Sequence, residues 1–139
     1  MADRPTALDQ ARALLRDRSA RVRVAVVGAS NDPDKYGNII VRNLLRHGYT
    51  VLPVHPHEHS VAGLPAWPSV AAIPGPVEIV NVVVPPNVAR TIVADLPADR
   101  VGVVWFQPGS FDADVVARAQ ARFEAVIAGD CIMVVAGWA

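Results

Sequence analysis

The sequence predicts an α/β protein, a Rossmann-like open parallel sheet of about five strands with helices on both faces and an added N-terminal helix. Two observations predict it. Short β-branched runs alternate with stretches whose apolar residues recur at helical spacing, and the runs break at small residues or proline. Hydrophobic residues make up 52% of the 139 positions, enough for a sizeable buried core in one domain. We therefore expect a single domain over residues 1–139, with a helix within residues 1–20 packed on it.

In chain order, Thr6 and Asp9 have capping-box spacing ahead of Ala7, Leu8, Ala11, Leu14 and Leu15, which share one helical face. Val22 to Val27 is the first strand, broken at Gly28. Ile40, Val41, Leu44 and Leu45 mark the next helix, opening near Asn38, and Gly48 stands where a left-handed residue ends it. Thr50 to Val54 is the second strand. Pro56, Pro65, Pro68 and Pro74 keep residues 55–75 irregular, apart from a helical turn that Ser69 can cap. Val77 to Val84 is the most continuous β-branched run and is expected at the sheet centre. Pro85 and Pro86 end it. Asn87 is the expected N-cap of a helix with Val88, Ile92, Val93 and Leu96 on its buried stripe. Val101 to Phe106 is the fourth strand, and Ser110 or Asp112 starts a helix with Val115, Val116, Ala119 and Phe123 inward. Ala125 to Ala128 is a fifth strand, while residues 132–135 read equally as strand or helical turn.

The first strand and the turn after it form the stretch most suited to chemistry. Gly28 and Ala29 remove side-chain bulk, and the amides opening the following helix lack intrahelical partners and carry the positive end of its dipole. Lys35, the single lysine, falls in the same loop and can place a point charge at a phosphate. The full G-x-G-x-x-G fingerprint is absent, so a plain βα turn remains an alternative.

Composition excludes several classes. Lysine plus arginine equals aspartate plus glutamate at 13 each, without a dense basic cluster, which argues against a nucleic-acid partner. Arg12, Arg16, Arg18, Arg21 and Arg23 read as a solvated face. One cysteine, Cys131, suits a reducing compartment and reads as a small buried side chain, with a reactive thiol near a strand end as the alternative. No secretory segment and no apolar run of about 20 residues is present, so a cytoplasmic protein with no membrane association is expected. The H-P-H-E-H run at His55, His57 and His59 has no completing ligand beyond His47, and no metal site is assigned. Trp67 and Trp105 read as core or crevice-wall aromatics.

The strand ends hold glycine, proline and amides rather than tuned carboxylates or an activated nucleophile, so no catalytic residue is assigned. Their order along the chain carries a resemblance. V-A-V-V-G-A-S-N-D-P followed by Tyr36, then H-G-Y-T-V-L-P-V-H-P, P-V-E-I-V-N-V-V-V-P-P, V-W-F-Q-P-G and a late Cys131 together resemble the small stand-alone CoA-binding proteins. These are similar to the CoA-binding Rossmann domain of the succinyl-CoA synthetase α subunit. The match covers about residues 20–135.

The resemblance implies that coenzyme A, free or acylated, is the ligand, its nucleotide end lying across residues 28–38 and the ends of strands two and three. Gly28, Ala29, Ser30 and Tyr36 match the first loop, with Lys35, Gly37 and Asn38 in the same segment. Val54, His55 and Pro56 match the second strand end, and Val84, Pro85 and Pro86 the third. Gln107 stands at the fourth. The family often has Phe-Arg where Val83 and Val84 stand, a loss that Lys35 can offset, and Asp-Arg-Cys where Gly129, Asp130 and Cys131 stand. The synthetase's phosphohistidine domain has no counterpart here, so binding without turnover is expected. An NAD(P)-binding protein is the first alternative, disfavoured because Val54-His55-Pro56 replaces the acidic residue that a dinucleotide fold wants after strand two. An interaction module without ligand is the second, and a protein partner or a second copy of the chain remains open.

Overall fold

A computed structural model describes residues 5–137, so the first four and last two positions of the expected domain lie outside it. The helix α1 (Ala7–Arg16) opens with the expected box: Thr6 Oγ1 accepts the Asp9 amide at 3.0 Å and Asp9 Oδ2 accepts the Thr6 amide at 3.2 Å. There follow β1 (Arg23–Val27), α2 (Tyr36–Arg46), β2 (Thr50–Val54), a hairpin of β3 (Ser60–Val61) and β4 (Leu64–Pro65), and β5 (Val77–Val82). The chain continues through α3 (Pro86–Asp95), β6 (Val101–Phe106), α4 (Ala113–Arg122), β7 (Ala125–Ala128) and α5 (Ile132–Val135).

Five strands form one parallel sheet in the order β2-β1-β5-β6-β7, with the run expected at the centre occupying it. After β2 the chain crosses over β1 to reach β5, so strand order reverses between β1 and β5, where an open α/β sheet has its crevice. The strands are apolar on both faces because both are covered. Val24, Val26, Ile79, Val103 and Trp105 pack against α1, α2 and α5 through Ala11, Leu15, Ile40, Val41, Leu44 and Ile132. Ala25, Val27, Val80, Val82, Val104 and Phe106 pack against α3 and α4 through Ala89, Val93, Val115 and Ala119. Gly48 adopts φ +86, as the end of α2 requires.

Four local expectations are corrected. Pro85, not Asn87, occupies the cap of α3, and Pro86 takes the first helical position, where a missing N–H costs nothing. Val88 is turned out of the core, 41% exposed, because Ala89 and Val93 face the sheet instead. The hairpin β3–β4 was not expected, its strands being two residues each and Pro65 standing in one. Arg23 is not a solvated charge: its Nε donates to the Pro76 carbonyl at 2.9 Å and Nη2 to that of Pro74 at 2.6 Å. Residues 132–135 resolve as helix.

On the α3–α4 face, Arg90 spans two carboxylates, donating to Asp112 Oδ2 at 2.8 Å and Asp114 Oδ2 at 2.7 Å. The Val115 amide, which Asp112 caps, and then the Arg90 guanidinium hold the Asp112 carboxyl below its ordinary 3.8. Arg118, then Arg90, do the same for Asp114. Folded values below unfolded ones mean that this stabilisation is full above 3.8 and is lost as pH falls through the lowered values. Urea midpoints are expected to stay level between about pH 7 and 5 and to fall below about pH 4, with a shallower fall in the Asp112→Asn/Asp114→Asn variant. An identical fall in that variant would place the acid-labile groups elsewhere.

Candidate functional site

The loop after β1 is shaped by two glycines. Gly28 has φ +96, and a Cβ there would lie 2.3 Å from the Val83 carbonyl oxygen and 2.7 Å from Val84 Cγ1. A Cβ on Gly37 would lie 2.0 Å from the Gly28 carbonyl oxygen. Two bare backbones thus touch, and the first turn of α2 is set directly against the end of β1. Asn38, buried, holds that contact: its Nδ2 donates to the Ser30 carbonyl at 2.9 Å and its Oδ1 accepts from Arg42 Nε. Ser30 Oγ accepts the Asp32 amide at 3.0 Å, and Asp32 Oδ1 accepts that of Asp34 at 3.0 Å. The N–H groups of Ala29 and Ser30, and of Tyr36 and Gly37 at the start of α2, donate to no backbone acceptor among the described residues. They make the positive end of the loop.

From this loop a cavity of about 520 Å³ runs across the ends of β2 and β5 toward α3. Gly28, Ala29, Ser30 and Lys35 form one end, Val54, His55 and Pro56 one wall, and Val84 and Pro85 the floor beyond the central strand. Nine of the expected site residues are thereby brought together. Three more, Tyr36, Gly37 and Asn38, lie outside the lining: Tyr36 is 63% exposed, while Gly37 and Asn38 position the loop from behind. Pro86 starts α3 without lining the cavity.

Gln107 points elsewhere. It is buried on the α1–α2–α5 side, where its Oε1 accepts the Ile132 amide at 2.9 Å and Asn81 Nδ2 at 3.3 Å, and its Nε2 donates to Cys131 Sγ at 3.2 Å. Cys131 is half-buried rather than enclosed, with its sulfur serving as an acceptor.

The sequence reading missed the opposite wall, Pro68, Ser69 and Val70 with Val88, Ile92, Asp95 and Leu96. The first group is positioned by Trp67, whose amide donates to the Pro53 carbonyl at 2.9 Å and whose carbonyl accepts the His55 amide at 2.9 Å. Residues 55–67 therefore return alongside β2 rather than departing from it. The loop is also tied to the hairpin through Asn31, whose Nδ2 donates to the Ser60 carbonyl at 2.8 Å and whose Oδ1 accepts the Ala62 amide at 3.3 Å.

In the histidine run, His55 Nδ1 accepts the amides of His57 and Glu58, both at 3.0 Å, which makes the run a tight turn. Among the described residues no group of three or more His, Cys, Asp or Glu side chains is placed to hold a metal ion. No described helix is long and apolar enough to cross a membrane.

Comparison with known proteins places this architecture. Over 88 residues, 62% of the chain, it is 43% identical to the α subunit of the ADP-forming acetate–CoA ligase II of Pyrococcus furiosus, but it spans about a fifth (19%) of that subunit's length. It is 29% identical to the Bacillus subtilis protein YneT over 112 residues, 81% of this chain and 83% of that one. Among solved structures, a protein of Pyrococcus horikoshii OT3 superposes with a TM-score of 0.80 at 30% identity, covering 97% of this chain and 95% of that one. A Thermus thermophilus protein does so with a TM-score of 0.77 at 31% identity, over 92% and 95%. The sequence signature of the CoA-binding domain matches residues 22–137, nearly the whole described chain, and the protein belongs to that family.

Proposed function

We propose that the protein binds CoA or an acyl-CoA in the cavity at the β1–β5 switch point and performs no turnover of its own. The observation that carries this reading is the joining, in one cavity, of Ala29 and Ser30, whose amides have no backbone acceptor among the described residues, and Lys35 to an apolar trough across the ends of β2 and β5. An anion is held by the first part and an uncharged arm or ring by the second. Membership of the CoA-binding domain family supports CoA as the source of both. Against NAD stands the end of β2, where Val54, His55 and Pro56 line the cavity and offer no carboxylate to ribose hydroxyls. The ligase subunit of Pyrococcus furiosus carries a similar stretch within a much longer chain, and a protein or domain that uses the bound thioester is the partner class this reading implies.

Ligand linkage tests the proposal without assuming a reaction. CoA at about a hundred times its Kd should add about 2.7 kcal/mol to the unfolding free energy. A urea midpoint that does not move with CoA concentration would remove the reading.

A further inference from the structure

The described lining of the cavity holds fewer cations than CoA has anionic centres. Among the described residues of the lining, Lys35 is the one cation and Asp95 the one acid, so their side-chain charge is formally zero. The arginines of the adjoining helices bond or lie away from it, Arg46 standing in the last turn of α2. Arg42 on α2 bonds Asn38 Oδ1 and the Pro33 carbonyl, and Arg90 on α3 is fixed between Asp112 and Asp114. His55, at the wall, accepts two backbone amides at Nδ1, which leaves Nε2 as its donor. The positive charge and the dipole that favour an anion are thus at one end, in the loop of residues 28–37 with its free amides, the start of α2 and Lys35.

CoA brings two separated anionic centres, the diphosphate and a ribose phosphomonoester of about −1.5 to −2 charge. The loop suits the first. A second placed farther along the cavity meets Val70, Val84, Val88, Ile92 and Leu96, or Asp95, with the Ser69 hydroxyl and His55 Nε2 as polar neighbours but no further cation among the described lining residues, and loses hydration that no ion pair replaces.

We infer that the site reads a single anionic centre and leaves the ribose phosphate in solvent, so that its ligand class is CoA-type carriers with or without that phosphate, and dephospho-CoA binds as well as CoA. The inference rests on the proposal that a CoA-type ligand enters this cavity. The test is a calorimetric titration of the full chain with CoA and with dephospho-CoA at two ionic strengths. The expected result is a CoA affinity no more than about threefold above that of dephospho-CoA, with parallel salt dependences. CoA binding more than about threefold tighter, or with a steeper salt slope, would show a contact to the ribose phosphate and overturn the inference while leaving the CoA-binding reading intact. Binding of neither ligand would overturn both.

Discussion

Gly37→Ala is expected to cost the protein about 1–3 kcal/mol or more and to abolish ligand binding, because the new methyl group would enter a backbone contact that cannot yield. Its Cβ would stand 2.0 Å from the Gly28 carbonyl oxygen, well inside any tolerated approach, so α2 must swing away from β1. The amides at the start of α2 would move with it. Gly28→Ala should be at least as damaging, since the overlap with the Val83 carbonyl at 2.3 Å is joined by a left-handed backbone at φ +96 that costs about 1–2 kcal/mol for other residues. Urea denaturation reads both variants: a wild-type midpoint for Gly37→Ala would show that α2 and β1 do not meet as described, and one for Gly28→Ala that the ends of β1 and β5 do not. Gly63→Ala is the control: its φ is also positive, but nothing lies within 4 Å of the added carbon, so it carries backbone strain without the overlap and should cost less.

Lys35→Ala is expected to weaken CoA binding about tenfold or more while leaving the fold unchanged. The residue precedes α2 without capping it by a side-chain bond, so its removal takes no hydrogen bond from the helix. As the one cation among the described residues of the cavity lining, it would supply a charge-assisted contact that no described neighbour in the lining replaces. The salt dependence of binding should become shallower by that one ion contact. An unchanged affinity and an unchanged salt slope would place Lys35 outside the site.

The elements that position this site were readable because each rests on a local rule. The β-branched runs, the Thr6–Asp9 box and the glycine at position 48 declare themselves within a few residues. Gly28 and its neighbours were readable for the same reason, as a strand, a turn and a helix in succession. What escaped depends on packing between segments distant in sequence. Val88 was assigned to the core stripe because Val88 and Ile92 repeat at helical spacing. Together with Asp95 they form a second stripe, one step around the helix from Ala89 and Val93, and that stripe lines the cavity. The spacing was there to find, but nothing in α3 alone says which stripe meets the sheet. Pro68 to Val70 were hidden because their place is fixed by hydrogen bonds from Trp67 to β2, a pairing made by a single residue rather than by a strand. Gln107 lies at the right end of the sheet, yet side chains alternate along β6 and its position sends it to the face of Trp105, beside Cys131 and α5.

The central claim, that the cavity beyond β1 and β5 is a CoA site, is tested most directly by calorimetric titration of the protein with CoA, NAD and ATP under one set of conditions. The account predicts saturable binding of CoA, tighter than that of either other nucleotide. NAD binding more tightly than CoA would contradict it.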